Sequence, residues 1–240
     1  MGVNAQTAVP AFTAGQVLTA AEMTQVNTGI PVFATTVTRD AAFGGAGEKV
    51  LAQGQYAYIE ATSTLMVYSG SAWINAISNG LTLISSTTIG SAVASVTVSS
   101  AFSATYDNYK IVLSGGVASA SSIIGLKLGA TTTGYYTAYN RVIFSTGAAS
   151  VFSDNNTGQF NRVGLPSANG LQGNIEIWAP FLSKITYVSG PYVEPTVATG
   201  GAGTFSGLQN STTSFTAFTL TPDTGTLTGG TINVYGYANS

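Results

Sequence analysis

The sequence predicts a mainly β protein: a short N-terminal helix, a small antiparallel β module and a C-terminal β-sandwich of jelly-roll type. Three observations carry that expectation. From Leu81 onward the chain runs as short apolar segments cut by Gly, Ser, Asn and Pro signals, the pattern of a two-sheet sandwich. Helical spacing of comparable length occurs only before residue 31. The composition combines 45% hydrophobic residues with only 7% charged residues, 29 Gly, and 59 Ser and Thr, where about 25% charged is ordinary. Such a chain has material for a core and wets its surface with hydroxyls and amides.

These numbers also set aside several classes of function. A net charge of −2, with seven Lys and Arg scattered from Arg39 to Lys184, makes no basic patch, so nucleic acid and anionic membranes are not expected partners. The 11 Phe and 12 Tyr argue against disorder. No run approaches the ~18 apolar residues of a membrane span, so membrane insertion is not expected. Residues 1–30 lack the basic start and apolar centre of a signal peptide, and we expect no export by that route. With neither Cys nor His, disulfides, Ser-His-Asp and Cys-His catalysis, and zinc sites built on those ligands are excluded. No cofactor is expected.

In order along the chain, residues 1–11 read as an extended or disordered arm until a partner orders it. Thr19-Ala-Ala-Glu22 is a capping box, flanked by Leu18 and Met23 at the staple positions, and it opens a helix from Ala20 to about Thr28 that Gly29 and Pro31 stop. Nine residues are too few for a free-standing helix, since those below ~12–15 are marginal in water; this one must dock. Val32–Thr38 is rich in β-formers, and Arg39–Gly47 is a Gly-loaded loop. Gln55–Glu60, Leu65–Tyr68 and Ala72–Asn75 follow as strands joined by turns, with Trp73 the expected centre of a small core. The boundary falls near residues 76–80, giving segments 1–31, 32–78 and 79–240. Ten strands are expected beyond it, opening at Leu81, Ala94, Tyr109, Ile123, Tyr135, Gly173, Lys184, Gly203, Phe215 and Thr231. In the tenth, alternation sets Ile232, Val234 and Gly236 against Asn233, Tyr235 and Tyr237.

The order "FTAGQVLTAAEMTQVN", "VFATTVTRDAAF", "GQYAYIE" and "LMVYSGSAWI" resembles the N-terminal module of tailed-bacteriophage virion proteins, chiefly tail fibres, minor-tail proteins and related appendages. The match covers the first third of the chain. The segment from Tyr109 to Gly115 and the closing "GGTINVYGYA" resemble the C-terminal sandwich of phage tail and fibre proteins, a less specific likeness. The resemblance implies a structural protein of a phage particle, assembled in the host cytoplasm and extracellular after lysis. It also implies a homotrimer that attaches to other virion proteins through residues 1–31, with Phe12, Leu18, Met23 and Val26 as docking residues. The C-terminal part would then face a host-surface glycan or protein.

Each candidate constellation has a plainer alternative. Glycoside cleavage needs only two carboxylates, and Asp107, Asp154, Glu176, Glu194 and Asp223 are available. Glu176, beside Trp178, is the best placed, but alternation between Ile175 and Ile177 points it to solvent, which we favour. Asp154-Asn-Asn156 has oxygen ligands for Ca²⁺ yet reads better as a turn, and no metal site is expected. Gly44–Gly47 lacks the Lys-Ser/Thr of a phosphate loop and reads as a flexible connection. Tyr135, Tyr139 and Arg141, which alternation puts on one side with Tyr136 on the other, and Trp178 are the candidates for receptor contact; for the tyrosines, packing is the favoured reading. The expected function is that of a non-enzymatic tail fibre or similar appendage. Capsid decoration or a head fibre, a carbohydrate-cleaving tailspike, and a cellular adhesin are the alternatives.

Overall fold

The computed structural model of the chain describes residues 9, 11–20, 23, 29–45, 48–77, 80–194 and 200–239. The chain divides into two compact units, Met1–Asn79 and Gly80–Ser240. Strands predominate in both, arranged in several sheets whose pairs, among the described residues, are antiparallel with one exception.

In the first unit β1 (Val32–Phe33) runs parallel to β2 (Tyr56–Ile59), and β3 (Thr64–Tyr68) and β4 (Trp73–Asn75) continue from β2 as an antiparallel meander. The module is therefore not wholly antiparallel. Nor is Val32–Thr38 one strand, because Thr36–Asp40 forms helix α1. Thr35 is the reason: its Oγ1 accepts from the Thr38 N–H at 3.2 Å, while Thr38 Oγ1 accepts from the Thr35 N–H at 3.0 Å. That reciprocal cap overrides the β preference of Val and Thr.

The core of this unit is Val9, Phe33, Ala42, Ala57 and Ile59. Trp73 sits at its margin instead of its centre, half-buried with Phe43 at 5.8 Å between ring centroids. The buried Arg39 guanidinium lies 4.8 Å from the Trp73 ring and 2.7 Å from Asp40. Val9 is held at both backbone groups, its N–H donating to Ala42 O at 3.2 Å and its carbonyl accepting from Lys49 N–H at 2.9 Å. At that residue the expected free arm is instead part of the core.

Of the expected helix over residues 20–28, only Ala20 and Met23 lie within the described residues; Glu22 of the capping box and Val26 lie outside them. The Met23 N–H donates to Thr19 O at 2.9 Å.

In the second unit the strands are β5 (Leu81–Thr88), β6 (Val96–Val98), β7 (Asn108–Ala118), β8 (Ile124–Leu128), β9 (Tyr135–Ile143), β10 (Ala149–Thr157) and β11 (Phe160–Gly164). They continue as β12 (Leu171–Trp178), β13 (Thr186–Val193), β14 (Gly201–Gln209), β15 (Phe218–Pro222), β16 (Leu227–Thr228) and β17 (Thr231–Tyr237). The large sheet has the order β10-β9-β14-β13-β12-β7-β17-β5, with β16 beside β7, and the small sheet the order β11-β8-β15-β6.

Both sheets contribute to one core. Period-two alternation turns Tyr109, Ile111 and Leu113 of β7, Ile175 and Ile177 of β12, and Ile232 and Val234 of β17 inward. Leu126 of β8, and Phe218 and Leu220 of β15, meet them in the same cluster. Each such side chain contributes about 1.5–3 kcal/mol on burial.

Two strands in the expected polar interval, β10 and β11, are additional to those predicted. β10 lies at the sheet edge with exposed residues on both faces, so it carries no alternating signal. It also corrects the expected turn at Asp154–Asn156, which belongs to a strand whose register shifts between Asp154 and Thr157.

Candidate functional site

β9 directs Tyr135, Thr137 and Tyr139 inward in succession, and Arg141 comes next on that side where the core ends. Tyr135 is fully buried, packs edge-on to Phe160 at 4.8 Å, and its hydroxyl accepts from the Leu128 N–H at 2.9 Å. Burial pushes its pKa up to about 12. It is a core residue and presents no face to a ligand.

Tyr139 is also buried, its hydroxyl 2.7 Å from Asp154 Oδ2 and 2.6 Å from Asn161 O. Burial first, and then the Asp154 carboxylate, raise its pKa well above the ordinary phenol value. Asp154 Oδ2 also accepts from Asn161 Nδ2 at 3.3 Å, and Asn156 Oδ1 accepts from the Gly134 N–H at 2.8 Å. These side chains staple β9, β10 and β11 together. Among the described residues no cluster of three or more His, Cys, Asp or Glu is placed to hold a metal ion.

Arg141 leaves the core and forms an ion pair with Glu194, which follows β13. Its register partner on β14 is Gly203, where a Cβ would collide with the Asn140 carbonyl and the Arg141 Cα. Glycine there lets β14 approach β9 and fixes the base of the arginine. Phe152 of β10 brings its ring to 5.7 Å from the Arg141 guanidinium and 5.0 Å from that of Arg162, which also lies 5.7 Å from the Tyr139 ring. Arg162 has φ +57° and lies where the β11 register shifts between Phe160 and Gly164. A bulge of this kind re-aims a side chain, here over two aromatic faces.

Two clefts flank this arrangement. One, of about 270 Å³, has Arg162, Glu194, Asp223, Ser122 and Thr224 among its polar lining and Leu165 and Pro166 among its apolar lining. The other, of about 530 Å³, shares Leu165 with it and carries the amides Asn169, Gln172 and Asn174. The second volume falls in the roughly 300–1,000 Å³ range of small-molecule sites.

Trp178 lies elsewhere, on the outer face of the large sheet. It is 37% exposed and pairs across strands with Tyr187, itself 47% exposed. Next along that face, Glu176 accepts from Lys110 Nζ at 3.0 Å and from the Tyr237 hydroxyl at 2.6 Å, so each carboxylate oxygen has a donor. The hydrogen bond to Glu176, with burial second, raises the Tyr237 pKa to about 12.

The four candidate contact residues therefore do not form one site. Tyr139 and Arg141 are brought together with Phe152, Arg162, Asp154 and Glu194, Tyr135 belongs to the core, and Trp178 stands on the opposite face. Phe152 and Arg162 lie on the two strands without a periodic signal, and Glu194 reaches Arg141 only through the sheet. No family model, curated protein or solved structure matches this chain.

Proposed function

We propose that the chain is a structural protein of a tailed-phage virion, a tail fibre or similar appendage, which attaches by its N-terminal segment and displays the second unit toward the host surface. The observation that carries the reading is the apolar surface left open on the attachment segment. Val17 is 89% exposed and Met23 58%, and Phe12 and Leu18 are exposed as well. On the sequence that resembles the appendage module, such side chains are accounted for by a partner surface. For the second unit we infer a sandwich of jelly-roll type. In support, β5 pairs with β17 and β6 with β15, so strands early in the unit pair with strands late in it, as in a long hairpin rolled on itself. A non-enzymatic homotrimer completes the reading.

Immunogold electron microscopy of intact particles, with antibody raised against residues 80–240, tests it. Gold at the tail is expected. Particles that bind none overturn the reading, and gold over the capsid moves the same plan of attachment and display to capsid decoration. Turnover of capsule or lipopolysaccharide by the intact protein would overturn the non-enzymatic part. A monomer by light scattering would overturn the trimer.

A further inference from the structure

We propose that the second unit binds a carboxylate-bearing saccharide of the uronic acid type, with the sugar carboxylate on Arg162 and its hydroxyls on the acidic side of the adjoining cleft. The inference rests on the attachment reading and names the chemistry of the ligand.

Arg162 is the starting point. Among the described residues Arg39 pairs with Asp40 and Arg141 with Glu194, whereas Arg162 makes no ion pair and donates no hydrogen bond to an acceptor. Its backbone is left-handed, and residues held in such conformations cluster where a ligand is gripped. The guanidinium is fixed over Phe152 and Tyr139, and its donors are left open beside the 270 Å³ cleft. A planar fork of this kind matches a carboxylate in two parallel hydrogen bonds.

The rest of the cleft selects among anions. Glu194 and Asp223 line it too, and an ionised carboxylate only accepts hydrogen bonds. Inorganic or lipid phosphate supplies few donors to these acceptors and would place up to two negative charges beside Asp223, which among the described residues makes no ion pair, whereas Glu194 is already balanced by Arg141. A neutral sugar supplies donors to Glu194 and Asp223 but leaves Arg162 unanswered. A sugar acid satisfies both, since its carboxylate meets the guanidinium and its hydroxyls donate to the two acidic side chains. The larger cleft, a separate one that shares Leu165, carries amides, and Asn174 Oδ1 there is buried with no partner.

Calorimetry and saturation-transfer NMR on the full chain test this with methyl glucuronoside, methyl glucoside, acetate and inorganic phosphate. Methyl glucuronoside is expected to bind about tenfold or more tighter than each of the others, the factor set by one charge-assisted pair. Arg162→Gln should remove about that factor with an unchanged circular dichroism spectrum. Asp223→Asn, in an exposed turn, should weaken binding severalfold and serves if the arginine variant does not fold. Equal binding of the glucoside, of acetate or of phosphate overturns the proposal, as does the absence of glucuronoside binding at millimolar concentration. Particles that carry the protein although it does not bind the glucuronoside would overturn this inference alone. Glucuronoside binding by a protein absent from particles would support the site while removing the appendage reading.

Discussion

At the scale of single residues, the buried hydroxyls make the most specific statements. The Leu128 N–H has the Tyr135 hydroxyl as its buried acceptor, so Tyr135→Phe should cost about 1–3 kcal/mol at neutral pH by leaving that donor unsatisfied. The same residue sets an alkaline limit. The Tyr135 and Tyr237 pKa values rise from 10.0 to about 12 on folding, so their contribution is complete below pH 10 and is lost as the pH climbs toward 12. Urea midpoints measured at pH 9 and 11.5 should fall across that interval for the natural chain. The fall should be smaller in Tyr135→Phe, with Tyr139 and Tyr237 accounting for what remains. In the core, Phe218 is fully buried beside Phe102 at 5.8 Å, and Phe218→Ala should cost about 3–5 kcal/mol by denaturant titration.

Among the elements, the junction of β9 and β14 is the least tolerant. Gly203→Val places atoms where the Asn140 carbonyl and Arg141 Cα already are, so it should destabilise by at least about 1–3 kcal/mol and displace Arg141 from Glu194. Hydrogen exchange of the β9 and β14 amides would register the loss. At the opposite extreme, Val151 on the edge strand is 76% exposed, and Val151→Lys should leave stability within about 0.5 kcal/mol. This contrast also explains what could be read in advance. β7, β12 and β17 bury one face, so Ile175, Ile177, Ile232 and Val234 announce themselves by alternation. α1 was hidden because a Thr-Thr pair supplies its cap within a run of β-formers. β10 and β11 were hidden because one is solvated on both faces and the other is interrupted by a bulge. Phe152 and Arg162 sit on those two strands, and their meeting with Tyr139 and Arg141 of β9 depends on tertiary pairing that no local spacing encodes.

For the molecule as a whole, the two units differ in how much core each owns. Among the described residues, the second has a single cluster fed by both sheets, whereas five buried hydrophobic residues form the centre of the first. Small cores are marginal without external support. Residues 80–240 expressed alone should therefore unfold cooperatively at the midpoint of the matching transition in the full chain, as followed by calorimetry. The topology of that unit also governs when it can form. β17 lies between β5 and β7, and among the described residues β5 has no other neighbour in the sheet. Until the ribosome has delivered Thr231–Tyr237, a growing chain holds two unpaired strand edges and an unsealed core, the long-separation pairing that makes folding slow. A messenger cut short by a few codons ahead of Thr231 thus yields an unfinished sheet exposed to chaperones and proteases.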